Sequence, residues 1–223
     1  MNLQGFALHD PEALRSFRNG LAPYYNGNDD NRQGNRPSNG ITIRTNACLR
    51  EPRIAMLTRE MTAWGRRMPN EQAVAKGIAD HLQSHHSIQQ ANVPLVQFAN
   101  YSFLDQMSFF SSVDILVAAH GAQNIGVGFM PQCGGIIEMF PQGIQFVNYF
   151  GTLAPDSGIE YMLYYVSDAN FTVDRTERGH TFNRGLRRND ICPVPEDLFG
   201  GVDQMIQIWR SCCEEKKNEG QKV

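Results

Sequence analysis

The sequence predicts an α/β domain built on a parallel, Rossmann-like sheet, and three features predict it. Short apolar runs rich in Ile, Leu, Val and Met recur between residues 53 and 166. Segments with apolar residues at helical spacing stand between several of them. The clearest runs lack the apolar–polar alternation of a strand with one wet face, which suits strands covered by helices on both sides. Strands alternating with helices imply right-handed crossovers and a parallel sheet.

The elements follow in order. Pro11 ahead of Glu12–Arg18 predicts a short helix. Residues 20–40 are rich in Asn, Gly and Asp and hold too little apolar surface to offset the entropy of ordering, which predicts a mobile loop. Residues 1–50 are therefore expected to be an N-terminal extension, with the α/β domain over 51–215. RIAMLTR (53–59) reads as a buried strand. Residues 70–86 place Ala73, Val74, Ile78 and Leu82 on one helical face behind Asn70 as N-cap. Further strands are expected at 94–99, 114–120, 134–140, 144–150 and 159–166. A short amphipathic helix is expected at 102–112, a helix start at 121–130, and an irregular polar excursion over 167–195. A closing helix over 194–218 turns Leu198, Val202, Met205, Ile206 and Trp209 inward.

Ligands of such sheets bind beyond the carboxyl ends of the strands. The topology therefore points to Thr58–Arg59, His120–Gly121 and Glu138–Met139. Composition narrows the partners. A net charge of -3 and a pI near 6.1 favour neither nucleic acid nor an anionic membrane. No apolar run approaches the roughly 18 residues needed to span a bilayer. The opening residues lack the charged and apolar regions of a signal peptide, so the expectation is a cytosolic protein or a targeting segment or membrane anchor outside this chain. The five cysteines are odd in number and include no Cys-x-x-Cys pair, so no zinc site is expected, and one or two disulfides are left open. Asn100-Tyr-Ser102 and Asn170-Phe-Thr172 are acceptor sequons compatible with a secretory location.

The chemistry concentrates in VAAHGAQNIGVGFMPQCGGIIEMFP (117–141). A buried strand runs into His120, and Gly121-Ala122 opens the next helix. Small residues allow close approach to the backbone, and free N–H groups at a helix start attract phosphate oxygens. His120 can donate to a phosphate or a leaving oxygen. Glu138, at the carboxyl end of its strand, can accept the hydroxyls of a ribose. The competing reading is a satisfied strand-end histidine and a loop carboxylate. A second cluster is basic: Arg59 ends the first strand, and Arg66-Arg67 precede Asn70. Guanidinium groups bind phosphate in two-pronged fashion, although a solvated arginine loop accounts for the same residues. Asp29-Asp30 offers a paired-acid metal motif in an unsuitable loop context.

These segments together resemble the catalytic-domain signature of glycosyltransferase family 61. The matching residues are Arg59, Arg66-Arg67 with Asn70-Glu71, Asp114 to Ala122, Met130-Pro131, and Ile137-Glu138 with Pro141. The passage FVNYFGTLAPDSGIEYMLYYV (146–166) fits the family's route to a tyrosine-bearing strand. The resemblance covers roughly residues 50–166. It implies the donor-binding lobe of a two-lobed GT-B enzyme, with the acceptor lobe largely absent from this chain. It implies inverting transfer from a UDP-sugar, without metal or cofactor, to a protein or glycan hydroxyl in the Golgi or endoplasmic reticulum. By position, Arg59, Arg66, Arg67 and Asn70 would surround the diphosphate. His120, Gly121, Ala122 and Gln123 would line the sugar-diphosphate, and Glu138 the ribose. Gln123 departs from the family's usual glycine, adding a hydrogen bond or narrowing the pocket. No catalytic base is assigned. The alternatives are an inactive nucleotide-binding remnant, a flavodoxin-like domain for another phosphate ligand, and a scaffold without ligand. The absence of GxGxxG after any strand argues against a dinucleotide.

Overall fold

The computed structural model describes residues 48, 50–59, 66–90, 92–141, 147–166 and 190–220. The helix expected near Pro11, the loop over 20–40, Asp29-Asp30, the excursion over 167–189 and the sequon at Asn170 lie outside them. The described elements run β1 (Ile54–Leu57), α1 (Glu71–His86), β2 (Leu95–Val96), α2 (Phe103–Ser112), β3 (Ile115–Ala119), a 3₁₀ helix (Ala122–Phe129), β4 (Gly135–Phe140), α3 (Val147–Asp156), β5 (Glu160–Tyr165) and α4 (Pro195–Gly220). The five strands form one sheet in the order β2-β1-β3-β4-β5, and every pairing is parallel. This is the predicted α/β class, a Rossmann-like lobe.

The strand order reverses direction between β1 and β3. Open α/β sheets bind their ligands at such a switch point, because neighbouring crossovers leave on opposite faces and open a crevice there. One face carries α1 and α4 on Ile54, Met56, Val117, Ile137 and Met162. The other carries α2, the 3₁₀ helix and part of α3 on Leu57, Leu116, Ala118 and Ile136. All five residues of β3 are fully buried, as expected of a central strand covered on both sides.

Helix ends follow local chemistry. Ser102 and Asp105 close a reciprocal capping box at the start of α2. α1 ends at Ser87, which takes the left-handed conformation, while Ile88 N–H donates to the Leu82 carbonyl. Asn70 occupies the N-cap position of α1 as expected, but its side chain makes no cap bond there. Instead Asn70 Nδ2 donates to the Pro193 carbonyl at 2.7 Å.

The strand expected over 144–150 is corrected. Val147–Asp156 is helical. The aromatic and β-branched residues suit a strand locally, but β4 and β5 are parallel neighbours and need a crossover between them. Phe150 and Ala154, four residues apart on one helical face, are buried. β2 is also shorter than expected, pairing only at Leu95 and Val96.

The amino edge of the sheet is stitched covalently and ionically. Buried Asp114, at the foot of β3, accepts from Arg50 Nη1 at 2.6 Å and from the Arg53 backbone N–H at 2.8 Å. Burial pushes its carboxyl up, and these two donors pull against that shift. Disulfides join Cys48 to Cys213 and Cys133 to Cys212, so adjacent cysteines of α4 tie the chain ahead of β1 and the loop ahead of β4 to one helix. Trp209 packs among these four sulfurs. Cys192 is a free, exposed thiol.

Candidate functional site

β1 and β3 pair in register with Leu57 opposite Ala118. Arg59 and His120, each two residues further on, therefore emerge side by side at the switch point. The contact is direct: Arg59 Nη1 donates to the His120 carbonyl at 3.2 Å. Arg66 Nη1 donates to the same oxygen at 3.1 Å. Two guanidinium groups thus meet at the turn between β3 and the 3₁₀ helix. Arg66 is buried and has a left-handed backbone, φ 63°. Such a conformation in a residue with a side chain costs about 1–3 kcal/mol and concentrates at binding sites.

Gly121 leaves room for this packing. A Cβ at Gly121 would sit 2.2 Å from Arg59 Nη1, so a side chain there would shift that guanidinium from its place on the turn. Gln123 Nε2 donates to the Thr58 carbonyl at 3.2 Å, bridging the ends of β1 and β3. Ala122 is exposed at the start of the 3₁₀ helix. Gly126 serves packing: a Cβ there would lie 2.0 Å from the ring of Phe110.

Beneath the turn lies a buried polar network. His120 Nδ1 meets Glu138 Oε1 at 2.7 Å. Asn124 Nδ2 donates to the same oxygen at 3.3 Å and to the Ala119 carbonyl at 3.2 Å. The Tyr161 hydroxyl donates to Glu138 Oε2 at 2.6 Å. Glu138 is 0% exposed, because β4 continues to Phe140 and leaves it two residues inside the strand. β4 ends at Phe140, as the expected strand over 134–140 does, so Glu138 stands near the carboxyl end as expected but faces the interior. Both carboxylate oxygens are engaged within the protein. Burial first, and then the facing Glu138 carboxylate, hold the Tyr161 hydroxyl well above its ordinary range, which keeps it a donor. The His120 ring stacks on Phe140 at 4.5 Å between centroids and is tilted against Phe150 at 6.1 Å. Ring stacking and the carboxylate together fix the imidazole's plane and place the Nδ1 proton toward Glu138.

The structure thus brings together Arg59, Arg66, His120, Gly121, Ala122, Gln123 and Glu138. Arg67 and Asn70 are engaged elsewhere. Arg67 forms a two-pronged ion pair with Asp190, Nε to Oδ1 at 3.0 Å and Nη2 to Oδ2 at 2.6 Å. The Arg67 hydrogen bond holds the Asp190 carboxyl below the usual carboxylate range. With Asn70 on Pro193 and the Ile191 N–H on the Arg67 carbonyl, the start of α1 anchors the segment that leads into α4. Asn124, Tyr161 and Phe140 were not picked out from the sequence. A sequence signal existed for Asn124, an amide four residues after His120 on the same helix start. Tyr161 offered only its place on an apolar strand, where a hydroxyl needs a partner.

A family model described as glycosyltransferase 61 matches residues 8–137, more than half of the chain. Similar curated proteins carry the name protein O-linked-mannose beta-1,4-N-acetylglucosaminyltransferase 2. The Xenopus laevis protein is 30% identical over 138 residues, 61% of this chain and 22% of that protein. The Xenopus tropicalis protein is 34% identical over 83 residues, 36% of this chain and 14% of that protein. The Bos taurus protein is 28% identical over 93 residues, 40% of this chain and 16% of that protein. The chain thus matches less than a quarter of the length of these relatives. With the parallel lobe, the arginine-flanked turn after β3 and the extent of the family match, the chain belongs to the glycosyltransferase 61 family.

Proposed function

We propose that this chain is the nucleotide-sugar-binding lobe of an inverting, metal-independent GT-B glycosyltransferase, with a UDP-sugar as donor and a protein or glycan hydroxyl as acceptor. The observation that carries the proposal is the convergence of Arg59 and Arg66 on the His120–Gly121 turn at the switch point. A departing nucleoside diphosphate develops negative charge, and preorganised guanidinium and N–H groups stabilise it without reorganisation. Arg59 and Arg66 supply charge, and the exposed start of the 3₁₀ helix at Ala122 supplies backbone N–H groups. His120 faces the diphosphate with its ring set by Glu138. Glu138 acts through His120 in this reading and not on a ribose, since it is fully buried. Arg67 and Asn70 position the start of α1.

In the transfer, the acceptor oxygen forms its bond to the anomeric carbon as the bond from that carbon to the diphosphate oxygen breaks, and the configuration inverts. The acceptor proton passes to a base in the acceptor lobe or at the cleft between lobes. Calorimetric titration with UDP tests the donor site. Wild-type protein should bind UDP, and Arg59→Ala should weaken binding by about 1–3 kcal/mol, the cost of a charged hydrogen-bond partner. Absence of binding to the folded wild-type chain, or wild-type affinity in both Arg59→Ala and Arg66→Ala, would refute the assignment.

A luminal location in the Golgi or endoplasmic reticulum belongs to the same proposal. Two disulfides support it, since such bonds persist in oxidising compartments. No described helix is long and apolar enough to cross a membrane. Asn100 of the Asn100-Tyr-Ser102 sequon is exposed in a turn ahead of α2. Peptide mapping of protein isolated from its source should find an N-linked glycan on Asn100 and Cys48 oxidised. Unmodified Asn100 together with reduced Cys48 would count against the lumen.

A further inference from the structure

Away from the switch point, α1 and α4 bring two histidines and an aspartate together. His81 Nε2 and His86 Nε2 each lie 2.6 Å from the same oxygen, Asp203 Oδ1. The three atoms all fall within 4.8 Å of one another. Both imidazoles come from the carboxyl half of α1, which runs back toward the amino edge of the sheet. The cluster is therefore remote from the Arg59–His120 turn, and the inference is independent of the donor-site reading.

We propose that His81, His86 and Asp203 form a binding site for a divalent transition-metal ion of the zinc class. The donor set is chemically apt: two neutral imidazole nitrogens and one carboxylate oxygen are ordinary zinc ligands, with water completing a tetrahedron. Carboxylate and imidazole together also exclude the soft ions that prefer thiolates. The ligands are held in place before any metal arrives. The His81 ring is sandwiched between Phe199, 4.2 Å away and nearly parallel at 10°, and His85, 4.3 Å away. His81 and His86 are 7% and 12% exposed, whereas Asp203 is 36% exposed, so solvent reaches the site from one side. Bond lengths of about 2.0–2.2 Å around zinc separate tetrahedral ligands by about 3.3 Å. The present contacts need to open by under about 1 Å, within the reach of the partly exposed Asp203 side chain. Binding through Nε2 requires each imidazole to be neutral, with its ring proton on Nδ1.

The competing arrangement is a carboxylate that simply accepts two imidazole N–H groups and joins α1 to α4 without a metal. The two differ in a measurable way. Tag-free chain, freed of metal by chelator and dialysed, is titrated with Zn2+ by calorimetry and with Co2+ by absorption. We expect one equivalent to bind saturably, Co2+ to give visible d–d bands, and zinc to raise the melting temperature. Partners that only orient zinc ligands already change affinity 10–100-fold, so losing a ligand in His86→Ala or Asp203→Asn should weaken binding by at least about tenfold and remove the thermal shift. Should either variant misfold, imidazole 15N resonances of the wild type serve instead: zinc should shift Nε2 of His81 and His86. No saturable binding, undiminished binding in the folded variants, or unmoved His81 and His86 resonances would overturn the site.

Discussion

Replacing Glu138 with alanine should destabilise the fold by about 3–5 kcal/mol, the range for removing one partner of a buried charged cluster. Three donors point at its two oxygens: His120 Nδ1, Asn124 Nδ2 and the Tyr161 hydroxyl. The Tyr161 hydroxyl would lose the carboxylate that it donates to, while Asn124 Nδ2 would keep only the Ala119 carbonyl, and unsatisfied buried donors cost more than the bonds contribute when made. Glu138→Gln should be much milder. Its carbonyl can still accept from His120, and its amide can donate to the Tyr161 oxygen, because a phenol also accepts. The pair separates stability from function. Denaturant unfolding should show a large loss for alanine and a small one for glutamine. UDP affinity of the glutamine variant should nonetheless fall, because a neutral amide orients His120 less firmly than a carboxylate. A glutamine variant with wild-type affinity would mean that Glu138 serves only the core. An alanine variant of wild-type stability would contradict the network itself.

Breaking Cys133–Cys212 by serine substitution at both positions should cost about 2–5 kcal/mol, and reduction of both disulfides more. The bridges close loops of 165 and 79 residues in sequence separation, so each removes a large amount of freedom from the unfolded chain. They share neighbouring residues of α4, so their contributions should not be additive. Thermal melts with and without a thiol reductant measure the effect directly. An unchanged melting temperature in reductant would show that α4 is held by its apolar contacts alone. The bridges lie at the amino edge of the sheet, opposite the Arg59–His120 turn. The doubly substituted chain should therefore keep its UDP affinity at temperatures where it remains folded.

The local pattern of residues was enough to specify most of the framework. Unalternated apolar runs marked β1, β3 and β4, and the spacing of Val74, Ile78 and Leu82 marked the buried side of α1, all confirmed by burial, whereas Ala73, expected on the same face, is exposed and Ala75 is buried instead. The order of strand, arginine pair and His-Gly-Ala was also legible, because a motif held within a few residues keeps its meaning without knowledge of the fold. Residues 144–150 show the limit. Aromatic and β-branched side chains suit strand and buried helix alike, and only the parallel pairing of β4 with β5 requires a crossover there.

Contacts between distant segments were decided by the tertiary structure alone. Glu138 read as a ligand for ribose because its place in the sheet was unknown; register set it beside Tyr161 and His120, where its charge is satisfied internally. Arg66 and Arg67 are neighbours in sequence with different partners, one on the His120 carbonyl and the other on Asp190. The disulfide pairing and the meeting of His81 and His86 with Asp203 are of the same kind. Side-chain periodicity reports which face of an element is buried, but it carries no information about what lies opposite that face. That depends on the packing of helices against a twisted sheet, which brings together residues more than a hundred positions apart.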